Sequence, residues 1–296
     1  MIQSRRFARF AWWVLAWNVV VVLWGGYVRA TGSGAGCGNR WPLCNGEVLP
    51  RAPRIETIIE FTHRMTSGVA LMLVAGLAVW AFRLFPRGHR VRRAAVLAAV
   101  FLVAEALLGA GLVLFRFVAH NASAGRALYL SAHLVNTQLL LGVLAATAWF
   151  AGTEARPLAR RPGLFFAALP VALALGVTGA LAALGDTLFP AGSLAAGLRQ
   201  EFASGSPALL RLRLLHPAVA TLCGAFLLYA GLRAVRVERL ERTGWAAVGL
   251  LLVQMVAGAV NVTLLAPVWM QIVHLLLADL LWIALAVLYL EAAHEG

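Results

Sequence analysis

The sequence predicts an all-α integral membrane protein with eight transmembrane helices, arranged as two pseudo-symmetric four-helix bundles. Of its 296 residues, 61% are hydrophobic and only 12% are charged, whereas soluble domains are about 45–50% apolar. A helical span needs about 20 mostly apolar residues, and eight such stretches occur. They cover residues 10–29, 58–82, 94–116, 127–150, 164–184, 209–232, 243–265 and 268–290.

The arginines predict how the chain is oriented. The net charge of +13 comes from 25 arginines without any lysine, a balance that by itself would suit a nucleic-acid-binding protein. However, 15 arginines fall on one side of the predicted spans and 10 on the other, and cytoplasmic loops carry the basic excess. We therefore expect a multi-pass protein of the cell membrane with both termini in the cytoplasm, an uncleaved first span and no nucleic-acid partner.

Spans 1–4 and spans 5–8 contain similar residues in the same order, which indicates an internal repeat. His63 matches His216 at an offset of 153 residues, and His133 matches His274 at an offset of 141. The other matched pairs are Gly26 with Gly179, Glu105 with Gln254, and Gly109 with Gly258. Four spans per half give both halves the same orientation, so an axis along the membrane normal should relate them. We predict an N-terminal bundle at 1–155 and a C-terminal bundle at 156–296.

The four repeated histidines are the strongest candidates for binding chemistry. His63, His133, His216 and His274 each lie a few residues inside an even-numbered span, so all four should lie near the outer face of the membrane. Ionisable groups at membrane depth are often functional, and two facing imidazoles per bundle would suit the axial positions of a haem iron. Zinc and copper also accept imidazole, but no fitting set of carboxylates or thiols accompanies these pairs. The sequence does not identify the partner of each second ring nitrogen.

Glu60 distinguishes the first half from the second. It lies three residues before His63, about one helical turn away on the same face, whereas Leu212 or Arg213 stands near that position before His216. A carboxylate at that depth is costly unless it is paired or used. It would either pair with Arg64 or act as an acid/base or charge-stabilising group beside a haem edge.

The outer end of the first half contains further candidates. Arg29 would either bind a haem propionate or extend to lipid phosphates, and Arg64 is a weaker candidate for a propionate. Cys37 and Cys44 lie in the first outer loop, where an oxidising compartment favours a disulfide. That bond would be either a structural staple or a site of exchange with a thiol-redox partner.

Six motifs are spread over both halves: GGYVRATGSGAGC after span 1, the cysteine pair of the first outer loop, EFTHR in span 2, SAHL in span 4, LLHP in span 6 and IVHL in span 8. In these motifs the chain resembles the haem A synthase family over nearly its whole length. The resemblance implies an oxidoreductase that converts the C8 methyl group of haem O to a formyl group by successive hydroxylation in the outer half of the membrane.

The resemblance also implies roles for individual residues. They are Glu60 as the catalytic carboxylate, His63 and His133 as ligands of the substrate haem iron, His216 and His274 as ligands of a haem b cofactor, and Cys37 with Cys44 as a loop disulfide. The chain departs from the family at two points. The outer loop at 185–208 lacks the second cysteine pair that some members carry, and Glu105 stands where a glutamine is expected.

Two other classes of protein would use the same features. A di-haem electron carrier similar to cytochrome b561 would need the four histidines without Glu60 chemistry, and a transporter would use the repeat without iron. Four imidazoles near one face favour one haem per bundle over haems stacked across the bilayer, which makes the carrier the less favoured alternative to the synthase. The expected partners are haem O, the lipid bilayer, haem O synthase, and an electron-transfer or thiol-redox protein.

Overall fold

The computed structural model describes residues 2–153 and 163–294. These residues form nine α-helices and two short 3-10 helices, without a β-strand. The α-helices are α1 (Ile2–Ala30), α2 (Ile55–Leu84), α3 (Arg90–Leu114), α4 (Ala124–Gly152), α5 (Gly163–Leu188), α6 (Leu194–Phe202), α7 (Ala208–Val235), α8 (Glu241–Thr263) and α9 (Val268–Ala293). All except α6 are long and apolar enough to cross a membrane, which confirms the predicted all-helical membrane protein with eight spans.

The helices extend beyond the predicted apolar stretches. Helix α1 begins at Ile2 rather than near residue 10, because the arginines that precede the apolar stretch are good helix formers. Helix α6 was not predicted. It is short, and the side chain of Ser193 caps it by accepting a hydrogen bond of 3.1 Å from the backbone N–H of Ala196.

The two sets of four spans pack in the same way. In the first half α1 contacts α2 and α4, while α3 contacts α2 and α4. In the second half α5 contacts α7 and α9, while α8 contacts α7 and α9. Each half therefore has the four-helix arrangement that the internal repeat predicts.

The contact between the halves is also symmetric. Helices α1 and α4 of the first half both contact α5 and α9 of the second, as expected when an axis parallel to the helices relates the two halves. The predicted boundary at residues 155 and 156, and three arginines counted for the orientation (Arg156, Arg160 and Arg161), lie outside the described residues. The division into 1–155 and 156–296 therefore stays a prediction.

Candidate active site

The four candidate histidines lie at similar depths on α2, α4, α7 and α9. They follow the first residues of their helices by six to nine positions, which corresponds to roughly 9–14 Å along the helix axis. All four side chains are half-buried. The structure therefore brings the four imidazoles to one end of the two bundles. This is the end that the sequence predicts to face outward, and we call it the outer end.

Each imidazole packs against a glycine on the preceding membrane-spanning helix. An ideal Cβ atom would lie 3.1 Å from His63 Cε1 at Gly25, 3.8 Å from His133 Cε1 at Gly109, 3.0 Å from His216 Cε1 at Gly179, and 3.1 Å from His274 Cε1 at Gly258. At three of these four contacts a real Cβ atom would be too close to the ring. The absence of a side chain at glycine therefore leaves the space that the imidazole occupies.

These contacts correct one detail of the repeat. The structural counterpart of Gly179 is Gly25, which contacts His63, rather than Gly26. Gly26 instead lies against Leu275 and Ile272 of α9, at the contact between the halves. The pairing of Gly109 with Gly258 agrees with the structure, since both contact a candidate histidine.

His216 and His274 face each other inside the second bundle. Their ring centroids are 6.5 Å apart and the ring planes are inclined by 80°. Imidazole nitrogens bind transition metals at about 2.0–2.1 Å, so two imidazoles on opposite sides of one ion have ring centres about 6 Å apart. Thr178 Oγ1 lies 3.0 Å from His216 Nδ1, and Gln254 Nε2 lies 3.3 Å from His274 Nε2. These are partners that the sequence did not identify.

In the first bundle, Glu105 lies beside His133. Glu105 Oε1 is 3.4 Å from His133 Nδ1, close enough for an ion pair but without hydrogen-bond geometry. Asn136 Nδ2 donates a hydrogen bond of 2.6 Å to Glu105 Oε2, and the hydroxyl of Thr137 donates to Oε1. Glu105 therefore holds the place next to His133 that Gln254, its repeat partner, holds next to His274.

The donor set fits a haem in each half. Among the described residues no three His, Cys, Asp or Glu side chains gather around one point as an all-protein metal site would require. A haem needs only axial ligands from the protein, and one pair of imidazoles per bundle would be enough to supply them. The buried Nδ1 atoms of His63 and His274 have no hydrogen-bond partner, as expected of side chains placed to meet a group other than protein.

Glu60 is held by the first outer loop. Its side chain is only 3% exposed, and Oε2 accepts a hydrogen bond of 2.8 Å from the backbone N–H of Cys37. Oε1 forms an ion pair of 2.6 Å with Arg64 Nη2. The ion pair considered from the sequence therefore exists, between a buried Glu60 and a half-buried Arg64.

Arg64 also binds the loop itself. Its Nη1 donates to the carbonyl oxygens of Arg40, Pro42 and Leu43 at 2.9, 3.2 and 2.8 Å. These carbonyls lie in the segment closed by the Cys37–Cys44 disulfide, and that bond is present as predicted. The disulfide loop, Arg64 and Glu60 thus form one connected unit over the outer end of α2.

Arg29 lies at the contact between the halves. Its Nη1 donates to Ala183 O and Thr187 Oγ1, both at 2.8 Å, and its Nη2 donates to Gln271 Oε1 at 2.9 Å. The guanidinium is thereby engaged with α5 and α9 at their outer ends. A propionate role for Arg29 or Arg64 stays a prediction.

Two groups of polar residues outside the histidine pairs join separate helices. Asp279 accepts a hydrogen bond from Gln138 of α4 across the contact between the halves. Arg213 forms ion pairs with Asp186 at 3.2 Å and with Glu201 of α6, and so holds α6 over the outer end of the second bundle.

Similarity to known proteins extends over almost the whole chain. The model of the COX15-CtaA family, described as cytochrome oxidase assembly protein, matches residues 8–286. The chain is 47% identical over 97 residues to a Heme A synthase of Halalkalibacterium halodurans, which covers 33% of each chain. It is also 37% identical over 114 residues to a Heme A synthase of Exiguobacterium sp., which covers 38% of each.

A longer relative matches over almost all of this chain. A protein of Thermus thermophilus named Protoheme IX farnesyltransferase is 48% identical over 298 residues, covering 98% of this chain and 49% of that protein. The chain thus spans about half the length of this Thermus relative. Because the family model matches nearly the whole chain, the chain belongs to the COX15-CtaA family of cytochrome oxidase assembly proteins, the haem A synthase family that its motifs resemble.

Proposed function

We propose that the protein is a haem A synthase, which oxidises the C8 methyl group of haem O to a formyl group. The observation that carries this proposal is the asymmetry between two otherwise matching histidine pairs. Both bundles present two imidazoles and their packing glycines, but only the first has a buried carboxylate, Glu60, one turn from its histidine.

In the first bundle, His63 and His133 would bind the iron of haem O, which is the substrate. Both imidazoles lie at the same end of this bundle, one against Gly25 and the other against Gly109. Glu60 would then lie at the side of the macrocycle nearest the outer loop, where it can stabilise positive charge or move a proton at the methyl group. Each of two successive hydroxylations removes two electrons from that methyl group, and an oxidant, either O2 or an electron-transfer partner, must take them up. The resulting geminal diol then loses water to give the aldehyde.

In the second bundle, His216 and His274 would hold a haem b. That cofactor, when bound, accepts and donates single electrons. The contacts of this bundle support a holding role, since Thr178 orients one imidazole and Gln254 lies against the other.

The proposed setting is the cell membrane, with both termini in the cytoplasm and the histidines in the outer half. A partner that supplies prenylated haem follows from the substrate, because haem O carries a farnesyl group. The name of the Thermus relative describes farnesyl transfer to protohaem, so we propose that haem O synthase works next to this chain. An electron-transfer protein, or a thiol-redox protein that exchanges with Cys37–Cys44, would complete the set of partners.

The test is product analysis with the purified protein in lipid. Given haem O and an electron-transfer system, the synthase yields hydroxylated and formyl haem. Formation of farnesylated haem from protohaem would instead assign the transferase activity named for the Thermus relative. Bound haem b in both bundles without conversion of haem O would indicate the di-haem carrier. Either result would overturn the proposal.

A further inference from the structure

Gln138 and Asp279 occupy equivalent positions in the two halves and bond to each other. Gln138 follows His133 by five residues, and Asp279 follows His274 by five residues. Both therefore lie about 7–8 Å deeper in the membrane than the candidate iron ligands. Gln138 Nε2 donates a hydrogen bond of 2.9 Å to Asp279 Oδ1, so the pair lies on the axis that relates the halves.

This contact is sealed from solvent and lipid. Asp279 is fully buried and Gln138 is 7% exposed. Trp282 closes one side, because its Nε1 donates to the backbone carbonyl of Gln138 at 2.6 Å. No Arg or His forms a salt bridge with Asp279 among residues 2–153 and 163–294.

The Gln138–Asp279 pair lacks one hydrogen-bond donor. Asp279 Oδ2 and Gln138 Oε1 are both buried acceptors without a partner. If Asp279 were ionised, its Oδ2 and the Oε1 of Gln138 would both lack a hydrogen-bond donor. The carboxylate would also place a lone negative charge in an apolar core, which is strongly unfavourable. A proton on the carboxyl group removes the charge and supplies the missing donor. The acceptor for this proton would be Oε1 of Gln138, the same side chain whose Nε2 already donates to Asp279 Oδ1.

We propose that Asp279 binds a proton and forms a neutral acid–amide pair with Gln138, and that this pair joins the two halves in the membrane core. The site is a proton-binding site between the two histidine pairs and outside both. It contrasts with Glu105, which has two hydrogen-bond donors and a histidine beside it. The inference does not depend on the proposed oxidation, because it concerns the protein without haem.

The chain offers an unusually clean measurement, since Asp186 and Asp279 are its only aspartates. Protein grown with aspartate carrying heavy carbon in the side-chain carboxyl is compared with unlabelled protein by infrared difference spectroscopy. We expect one shifted carbonyl band of a protonated acid, from Asp279, and shifted carboxylate bands from Asp186, which pairs with Arg213. Asp186→Asn should keep the acid band and remove the carboxylate bands, while Asp279→Asn should do the reverse.

A second variant probes the pairing itself. Gln138→Leu removes the amide but keeps a similar volume, so the acid band of Asp279 should move to higher frequency as its hydrogen bond is lost. A merely structural glutamine would leave that band in place. Labelled carboxylate bands from Asp279 in the Asp186→Asn protein, or an acid band that Gln138→Leu does not move, would overturn the proposal.

Discussion

The backbone N–H of Cys37 donates a hydrogen bond of 2.8 Å to the Glu60 carboxylate. This contact attaches the candidate catalytic group to the loop that the Cys37–Cys44 disulfide closes. Arg64 reinforces the link, since it pairs with Glu60 and binds three loop carbonyls. The position of the carboxylate therefore depends on the shape of the loop as well as on α2.

The first prediction concerns this loop. A Cys37→Ser, Cys44→Ser double variant should insert and retain haem b, because the second bundle is untouched. Conversion of haem O should fall by roughly tenfold to a hundredfold, the scale expected when a catalytic group is misplaced by about an ångström. Haem content and product yield are measured on the same preparation, with Cys223→Ser as the control. Unchanged turnover in the double variant would show that the disulfide neither positions Glu60 nor exchanges electrons.

The second prediction concerns the glycines that contact the imidazoles. Gly179→Ala places a methyl group 3.0 Å from the His216 ring, so the ring must shift and haem b should be lost or its absorption spectrum altered. Alanine favours a helix over glycine by about 1 kcal/mol, so weakening of α5 cannot explain such a loss. Gly249→Ala is the matched control, because its added methyl group meets open space. Normal haem b in Gly179→Ala would argue against ligation by His216.

Sequence reasoning found the parts of the site that are marked by residue type and spacing. The eight spans, the four histidines, Glu60 and the cysteine pair all follow from local composition or from the repeat. The equivalence of Glu105 and Gln254 was also visible, but not that each contacts a histidine on the next helix.

The remaining contacts depend on how each helix is rotated about its axis. A helix that is apolar all round carries little pattern to show which side meets protein and which meets lipid. The choice between Gly25 and Gly26, the engagement of Arg29 by α5 and α9, and the pairing of Asp279 with Gln138 all depend on that rotation. Helix α6 was not predicted because it is a short amphipathic segment, whereas the predicted helices were long apolar stretches.

The third prediction concerns the second histidine pair. His216→Ala or His274→Ala should abolish or greatly weaken low-spin haem b, since each removes one of two facing imidazoles whose centroids are 6.5 Å apart. The absorption spectrum of the purified protein is the measurement. His120→Ala, in an exposed outer loop, should leave the spectrum unchanged. If both pair variants keep the parent spectrum, the cofactor is not held at this position.

The last prediction concerns Glu60. Glu60→Gln keeps the shape of the side chain and an oxygen that can accept from Cys37, but it removes the charge. Haem b content should stay near normal, because Glu60 lies in the other bundle from His216 and His274. Formation of haem A should fall by roughly 10²-fold or more, the usual contribution of a positioned acid/base group, and haem O or a hydroxylated product should accumulate in the protein.

The matched control is Glu56→Gln, which removes a carboxylate one turn earlier on the same helix, at an exposed position. It should leave both haem b content and product yield unchanged. Arg64→Gln separates the two interpretations of the ion pair, because it frees Glu60 of its cation and releases the loop carbonyls. A carboxylate with a chemical role should then still support slow turnover that Glu60→Gln lacks. If Glu60→Gln forms haem A at the parent rate, the carboxylate serves only to hold Arg64 and the loop, and the oxidation takes place elsewhere.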